Sequence, residues 1–160
     1  DDNWFAITKD DDVKVQYINF FHNQEIDDII EDVLFSNDLD SSMVDIIYQF
    51  SCDIDSDGET ESFYSISNAF SDDDTLYSMI FMLDNQTITY LKQEIVDNQI
   101  SEEVEMMTSA IPQTYISNVI TINDINYLFV QKDYKGRSKP EYEIYVYQNN
   151  EFKLVKNIKE

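Results

Sequence analysis

The chain of 160 residues is short of glycine, proline, cysteine, histidine and positive charge. Two glycines and two prolines leave no flexible linker and no glycine-rich cradle for a phosphate. The single cysteine, Cys52, excludes an internal disulfide and, on the apolar side of its strand, reads as a small buried hydrophobe. With one histidine, His22, zinc sites of the usual Cys/His kind are excluded by count. A serine triad would depend on His22, and no G-x-S-x-G is present. A Cys–His pair would join residues far apart in sequence, and no carboxylate pair stands out from the many acids as glycoside hydrolysis would need. The chain therefore reads as a non-enzyme. No apolar run approaches the roughly eighteen residues of a membrane helix. No signal-peptide pattern is visible, and the start at Asp1-Asp2 reads as that of a mature or trimmed chain.

Ten basic residues stand against 33 acidic ones, a net charge of −23. No Lys or Arg occurs between Lys14 and Lys92, and seven of the ten bases lie from Lys132 onward, so residues 1–129 carry −25. Such a chain is a poor ligand for nucleic-acid backbone or an anionic membrane. It allows a cationic partner. Repulsion among the carboxylates opposes compaction, and bound cations would offset part of it. The 11 Tyr, 10 Phe and 42% hydrophobic content separate the chain from disordered acidic tails. Its length suits one domain, residues 1–160, with a core of its own.

The densest chemistry lies in Cys52–Glu61, C-D-I-D-S-D-G-E-T-E. Counting Asp53 as position 1, carboxylates stand at positions 1, 3, 5 and 9: Asp53, Asp55, Asp57 and Glu61. Gly58, at position 6, permits a sharp turn, and the carbonyl of Glu59 at position 7 offers a further oxygen. Calcium takes six to eight oxygens at flexible geometry, so alternating carboxylates on a curled loop suit Ca²⁺. The same spacing also suits a solvated acidic hairpin turn. An EF-hand is excluded, because position 12 is Tyr64 and not Glu, and because Val44, Ile46, Tyr48, Phe50 and Cys52 alternate as a strand upstream.

D-x-D-x-D-G-x-x-E between two strands resembles the calcium loop of FG-GAP (integrin-α-like) repeats, and similar loops occur in exported proteins and lipoproteins of Gram-positive bacteria. The resemblance implies Asp53, Asp55, Asp57 and Glu61 as side-chain ligands, with Glu59 contributing its carbonyl. Glu61 stands where the integrin-type repeat usually has Asp, and the Phe-Gly and Gly-Ala-Pro signatures are missing. One motif in 160 residues does not make a propeller.

Elsewhere the pattern is mainly β, α+β at the margin: an antiparallel sheet of hairpins with one or two short helices. Residues 1–22 carry Trp4, Phe5 and Ile7, then Val13, Val15 and Tyr17, as one or two strands broken at Lys9–Asp12. Gln24–Leu34 reads as a helix with Ile26, Ile29, Ile30, Val33 and Leu34 on one face, capped by Asn23. Strands follow at Met43–Cys52, Ser62–Asn68, Tyr77–Leu83, apolar on both faces, and Thr87–Leu91. Asp97–Ala110 reads as a second short helix. Two hairpins close the chain, Tyr115–Ile122 with Asn126–Lys132 and Glu141–Gln148 with Phe152–Ile158, turning at Asn123-Asp124 and Asn149-Asn150. Asp72, Asp73 and Asp74 form either a solvated turn or an extra ligand near the acidic loop. Lys132, Lys135, Arg137 and Lys139 make the one basic loop, free in solvent or in contact with an acidic partner or with the acidic loop itself.

Two functional expectations follow. One is an exported, non-enzymatic β domain that binds one structural calcium and meets an unknown protein or cell-surface partner, extracellular or on a bacterial surface, with a lipid anchor possible in the precursor. The other is an acidic protein of the cytoplasm (an inhibitor, an immunity protein or a DNA mimic) that grips a basic partner.

Overall fold

A computed structural model describes residues 12–16, 21–22, 26–97 and 111–159. The expectations for Trp4, Phe5, Ile7, Tyr17 and Asn23, and the helix placed over Asp97–Ala110, fall outside these residues, except that Asp97 ends a strand. The strands are β1 (Val13–Gln16), β2 (Phe21–His22), β3 (Ile46–Cys52), β4 (Glu61–Ser67), β5 (Thr75–Asp84), β6 (Thr87–Asp97), β7 (Gln113–Ile122), β8 (Ile125–Asp133), β9 (Glu141–Gln148) and β10 (Glu151–Ile158), with helix α1 (Asp28–Ser36) between β2 and β3.

The strands form two five-stranded antiparallel sheets. The first has the order β1-β7-β8-β9-β10, the second β2-β3-β4-β5-β6. From β1 in the first sheet the path runs through the whole of the second as a meander, β2 to β6, and returns at β7. The two sheets face each other across a core that joins Phe63, Ile80 and Met82 of the second to Ile116, Leu128 and Val130 of the first. Helix α1 covers the other face of the second sheet, setting Ile30, Val33 and Leu34 against Ile47, Tyr64, Tyr77, Met79 and Phe81. The second sheet is therefore buried on both sides. This is why β5 is apolar on both faces: Leu76 through Met82 are all buried.

Local chemistry sets the boundaries. Asp27 caps α1, its Oδ1 accepting the N–H of Ile30 at 3.0 Å, and Asp28 and Glu31 lie in the first turn. Met43 and Val44, expected in a strand, precede β3: Ser41–Met43 is a 3-10 turn capped by Asp40, and Val44 packs with the α1 layer. Asn123, Asp124, Asn149 and Asn150 all take left-handed backbone, giving the two-residue hairpin turns that their side chains tolerate.

Among the described residues, polar links from strand to strand across the sheets include two. Ser78 Oγ and Thr114 Oγ1 lie 2.8 Å apart, and the Thr114 N–H donates to Ser78 Oγ at 2.9 Å. At the other link Glu143 of β9 accepts from Lys92 Nζ of β6 at 2.6 Å, from Lys132 Nζ at 3.2 Å and from the Tyr145 hydroxyl at 2.8 Å. Among the described residues no helix is long and apolar enough to cross a membrane.

Candidate metal centre

The acidic stretch forms the connection from β3 to β4. Cys52 is the last residue of β3, and its partner across the hairpin is Glu61, the first of β4. The strand alternation turns Phe50 and Cys52 toward the inter-sheet core. Cys52 is buried there, and burial first, with the charges of Glu61 and Asp53 after it, pushes its thiol up to about 12. It is an inert hydrophobe, as its place on the strand predicts.

Ile54 anchors the loop. Its side chain is buried in the same core at 3% exposure, between Asp53 and Asp55 at the surface. The loop then folds over its own carboxylates. Asp53 accepts the N–H of Asp57 at Oδ1, 3.2 Å, and that of Gly58 at Oδ2, 3.1 Å. Asp55 Oδ1 shares the Asp57 N–H at 3.2 Å, and Asp57 Oδ1 takes the N–H of Glu59 at 2.8 Å. Ser56 and Gly58 adopt positive φ, 64° and 95°, to close this curl. A Cβ on Gly58 would meet nothing within 4 Å, so glycine serves the backbone there and not space.

One oxygen each from Asp53, Asp55 and Glu61 come within 4.8 Å of one another. Two ligands on opposite sides of a calcium lie at most about 5 Å apart, twice its bond of about 2.3–2.6 Å, so the three fit one coordination sphere. Glu61 is 3% exposed, and its Oε2 accepts the N–H of Ile54 at 2.8 Å. Burial pushes its carboxyl up, and the charges of Asp55 and Asp53 add to this against the pull of the Ile54 N–H, leaving it above the ordinary value. Among the described residues no lysine or arginine forms an ion pair with these three carboxylates. Each carboxylate oxygen that accepts one N–H keeps a further lone pair for a cation.

The other residues singled out in the sequence are placed differently. Asp57 is exposed and outside the set of three, with one oxygen on Glu59 N–H. Glu59 is exposed beside it. Asp72, Asp73 and Asp74 lie in the β4–β5 connection, at the opposite end of the sheet, and add nothing to this site. The basic loop also goes there: Lys135 Nζ donates to the Phe70 carbonyl at 3.1 Å and pairs with Asp72 at 3.4 Å. Arg137 pairs with Glu141 at 3.4 Å and lies over the Tyr134 ring.

Asn126 is the residue that the motif does not reveal. From β8 its Nδ2 reaches the carbonyls of Asp53 at 3.2 Å and Ile54 at 3.1 Å, while its Oδ1 accepts from Thr121 Oγ1 at 2.6 Å. It ties the base of the loop to the opposite sheet. Its only signal in the sequence is a polar residue at an inward position of β8, 7% exposed, where Leu128 and Val130 follow.

No known family model, curated protein or solved structure matches the chain.

Proposed function

We propose that this chain is a non-enzymatic calcium-binding β domain that serves as an extracellular interaction or accessory module. The observation that carries this is the convergence of Asp53, Asp55 and Glu61 within 4.8 Å, with Glu61 buried. Three carboxylates crowded in this way, with no ion pair to relieve them among the described residues, favour a hard dication. The ion would pin the β3–β4 connection to the core and offset part of the −23 charge. Water or carbonyl oxygens would complete a sphere of six to eight, and an exposed loop with three carboxylates suits the weak, millimolar class of extracellular calcium modules. The resemblance to the loops of exported Gram-positive proteins agrees with that setting.

The test is a thermal melt in EDTA and in millimolar calcium, on the wild-type chain and on Asp55→Ala. With millimolar calcium at about ten times Kd, binding stabilises by about 1.4 kcal/mol, a rise of a few degrees at this size. A rise in the wild type that disappears in Asp55→Ala supports the reading. Identical melting in both solutions sinks it.

One observation favours a second reading, that of an acidic protein gripping a basic partner. Phe35, 85% exposed at the end of α1, borders a cleft of about 410 Å³ with Glu31, Asp32 and Asp40. An apolar anchor ringed by acids suits a basic amphipathic segment. That reading predicts salt-sensitive association and melting indifferent to calcium.

A further inference from the structure

Antiparallel pairing brings the β3–β4, β5–β6, β7–β8 and β9–β10 connections to one end of the sandwich. There a cleft of about 260 Å³ opens beside the acidic loop. Asp55 and Ser56 form one wall, Asp124 and Asn126 another, and Tyr147 with the Asn149-Asn150 turn the third. Asp55 belongs both to this wall and to the carboxylate set, so a cation held by that set borders the cleft.

We propose that the cleft binds a neutral sugar, with two neighbouring hydroxyls of the ring entering the coordination sphere of the calcium held by Asp53, Asp55 and Glu61. This rests on the calcium reading above. Three carboxylates leave a calcium short of its six to eight oxygens, and vicinal hydroxyls can replace two waters. The lining matches the rest of such a ligand. Amides on Asn149 and Asn150 both donate and accept, as sugar hydroxyls require. Tyr147, half-buried against Phe152 with ring centroids 4.8 Å apart, offers a fixed aromatic surface for the apolar side of a ring.

Charge narrows the class. No Lys or Arg lines the cleft, so an anionic ligand finds two carboxylates, Asp55 and Asp124, and no base. A cationic ligand would compete with the calcium for Asp55. The volume lies below the roughly 300–1,000 Å³ of sites for larger ligands, which is room for one sugar ring. The β9–β10 turn that carries the asparagines takes left-handed backbone at Asn149 and Asn150, φ 54° and 59°, which sets the direction of both side chains.

The experiment is a printed array of neutral, acidic and basic oligosaccharides, with a lysine-rich peptide alongside, probed with the wild-type chain in calcium and in EDTA. Calcium affinity is titrated on the same preparations. The expected result is binding to neutral glycans in calcium only. Tyr147→Ala should lower that binding at least tenfold, and Asn150→Gly, which keeps the left-handed turn but removes the amide, should lower it severalfold. Both variants should still bind calcium, which shows them folded. A chain that binds calcium but no glycan, or that prefers the lysine-rich peptide, overturns the sugar proposal and leaves the calcium reading standing. Glycan binding that persists in EDTA overturns the shared coordination. Absence of calcium binding overturns both.

Discussion

Ile54 donates its backbone N–H to Glu61 Oε2 at 2.8 Å, across the base of the acidic loop, while its side chain is buried in the inter-sheet core. This bond fixes the one carboxylate of the loop that is out of water and turns it toward Asp53 and Asp55. Hydrogen bonding and charge are separable at Glu61, and substitutions can tell them apart. Glu61→Gln keeps an oxygen for the Ile54 N–H and removes the repulsion with Asp53 and Asp55. In EDTA at pH 7 it should be at least as stable as the wild type, with calcium affinity down tenfold or more. Glu61→Ala leaves the N–H buried and unpaired, which costs about 1–3 kcal/mol. Urea unfolding in EDTA distinguishes the two; equal destabilisation by both would show that the charge, not the bond, shapes the loop.

Asn126 holds the loop from the opposite sheet without being a ligand. Asn126→Ala removes the bonds to the carbonyls of Asp53 and Ile54 and leaves the Thr121 hydroxyl without its acceptor. The expected cost is about 1–3 kcal/mol, with calcium affinity weakened but not abolished. Titration of calcium into the variant checks this. An unchanged affinity would mean that the loop needs no support from β8.

The pH response follows from the raised Glu61 carboxyl. The folded, metal-free chain binds this proton more readily than the unfolded chain, whose Glu titrates near 4.5. Protonation therefore favours folding: the contribution of Glu61 in EDTA improves as pH falls from neutral through its raised value, and levels off below 4.5. The same proton competes with calcium. The gap in Tm between calcium and EDTA should narrow as pH falls from 7 toward 4.5. A gap that stays constant over this range would exclude Glu61 as a ligand.

Glu143 responds in the opposite sense. Burial pushes its carboxyl up, but hydrogen bonds from Lys92, Tyr145 and Lys132 and the charge of Lys92 outweigh it, and the net shift is downward. Its contribution is present above 4.5 and is lost as pH falls through the lowered folded value. Lys132 is desolvated, which lowers it, yet Glu143 raises it overall, so its share is present below 10.5 and lost as pH rises past its folded value. Glu143→Ala strands two largely buried ammonium groups and should cost about 3–5 kcal/mol. Urea unfolding of this variant against Glu151→Ala, an exposed acid on β10, measures it. Similar values for the two would reduce the link to a surface pair.

Much of this architecture is local and can be read from the chain. Ile30, Val33 and Leu34 recur at helical spacing and all lie on the buried face of α1. Asn123-Asp124 and Asn149-Asn150 mark hairpin turns because these side chains tolerate left-handed backbone. What is long-range is not legible. Alternation along β3 or β7 shows that each has an inward face, but not that these faces belong to two sheets, which depends on β1 pairing with β7 more than a hundred residues on. The site divides in the same way. The D-x-D-x-D spacing brings Asp53 and Asp55 together with Glu61, yet the curl at Ser56 and Gly58 leaves Asp57 exposed and outside the set. Asn126 reaches the loop from 72 residues away, and no spacing rule points to it.

The central claim is that Asp53, Asp55 and Glu61 hold a calcium ion, and calorimetric titration of calcium into the metal-stripped chain tests it most directly. The account predicts one ion per chain, with binding lost in Asp55→Ala and weakened at least tenfold in Glu61→Gln, while Asp74→Ala, at the far end of the sandwich, binds as the wild type does. Absence of heat at millimolar calcium, or binding untouched by Asp55→Ala, would contradict it.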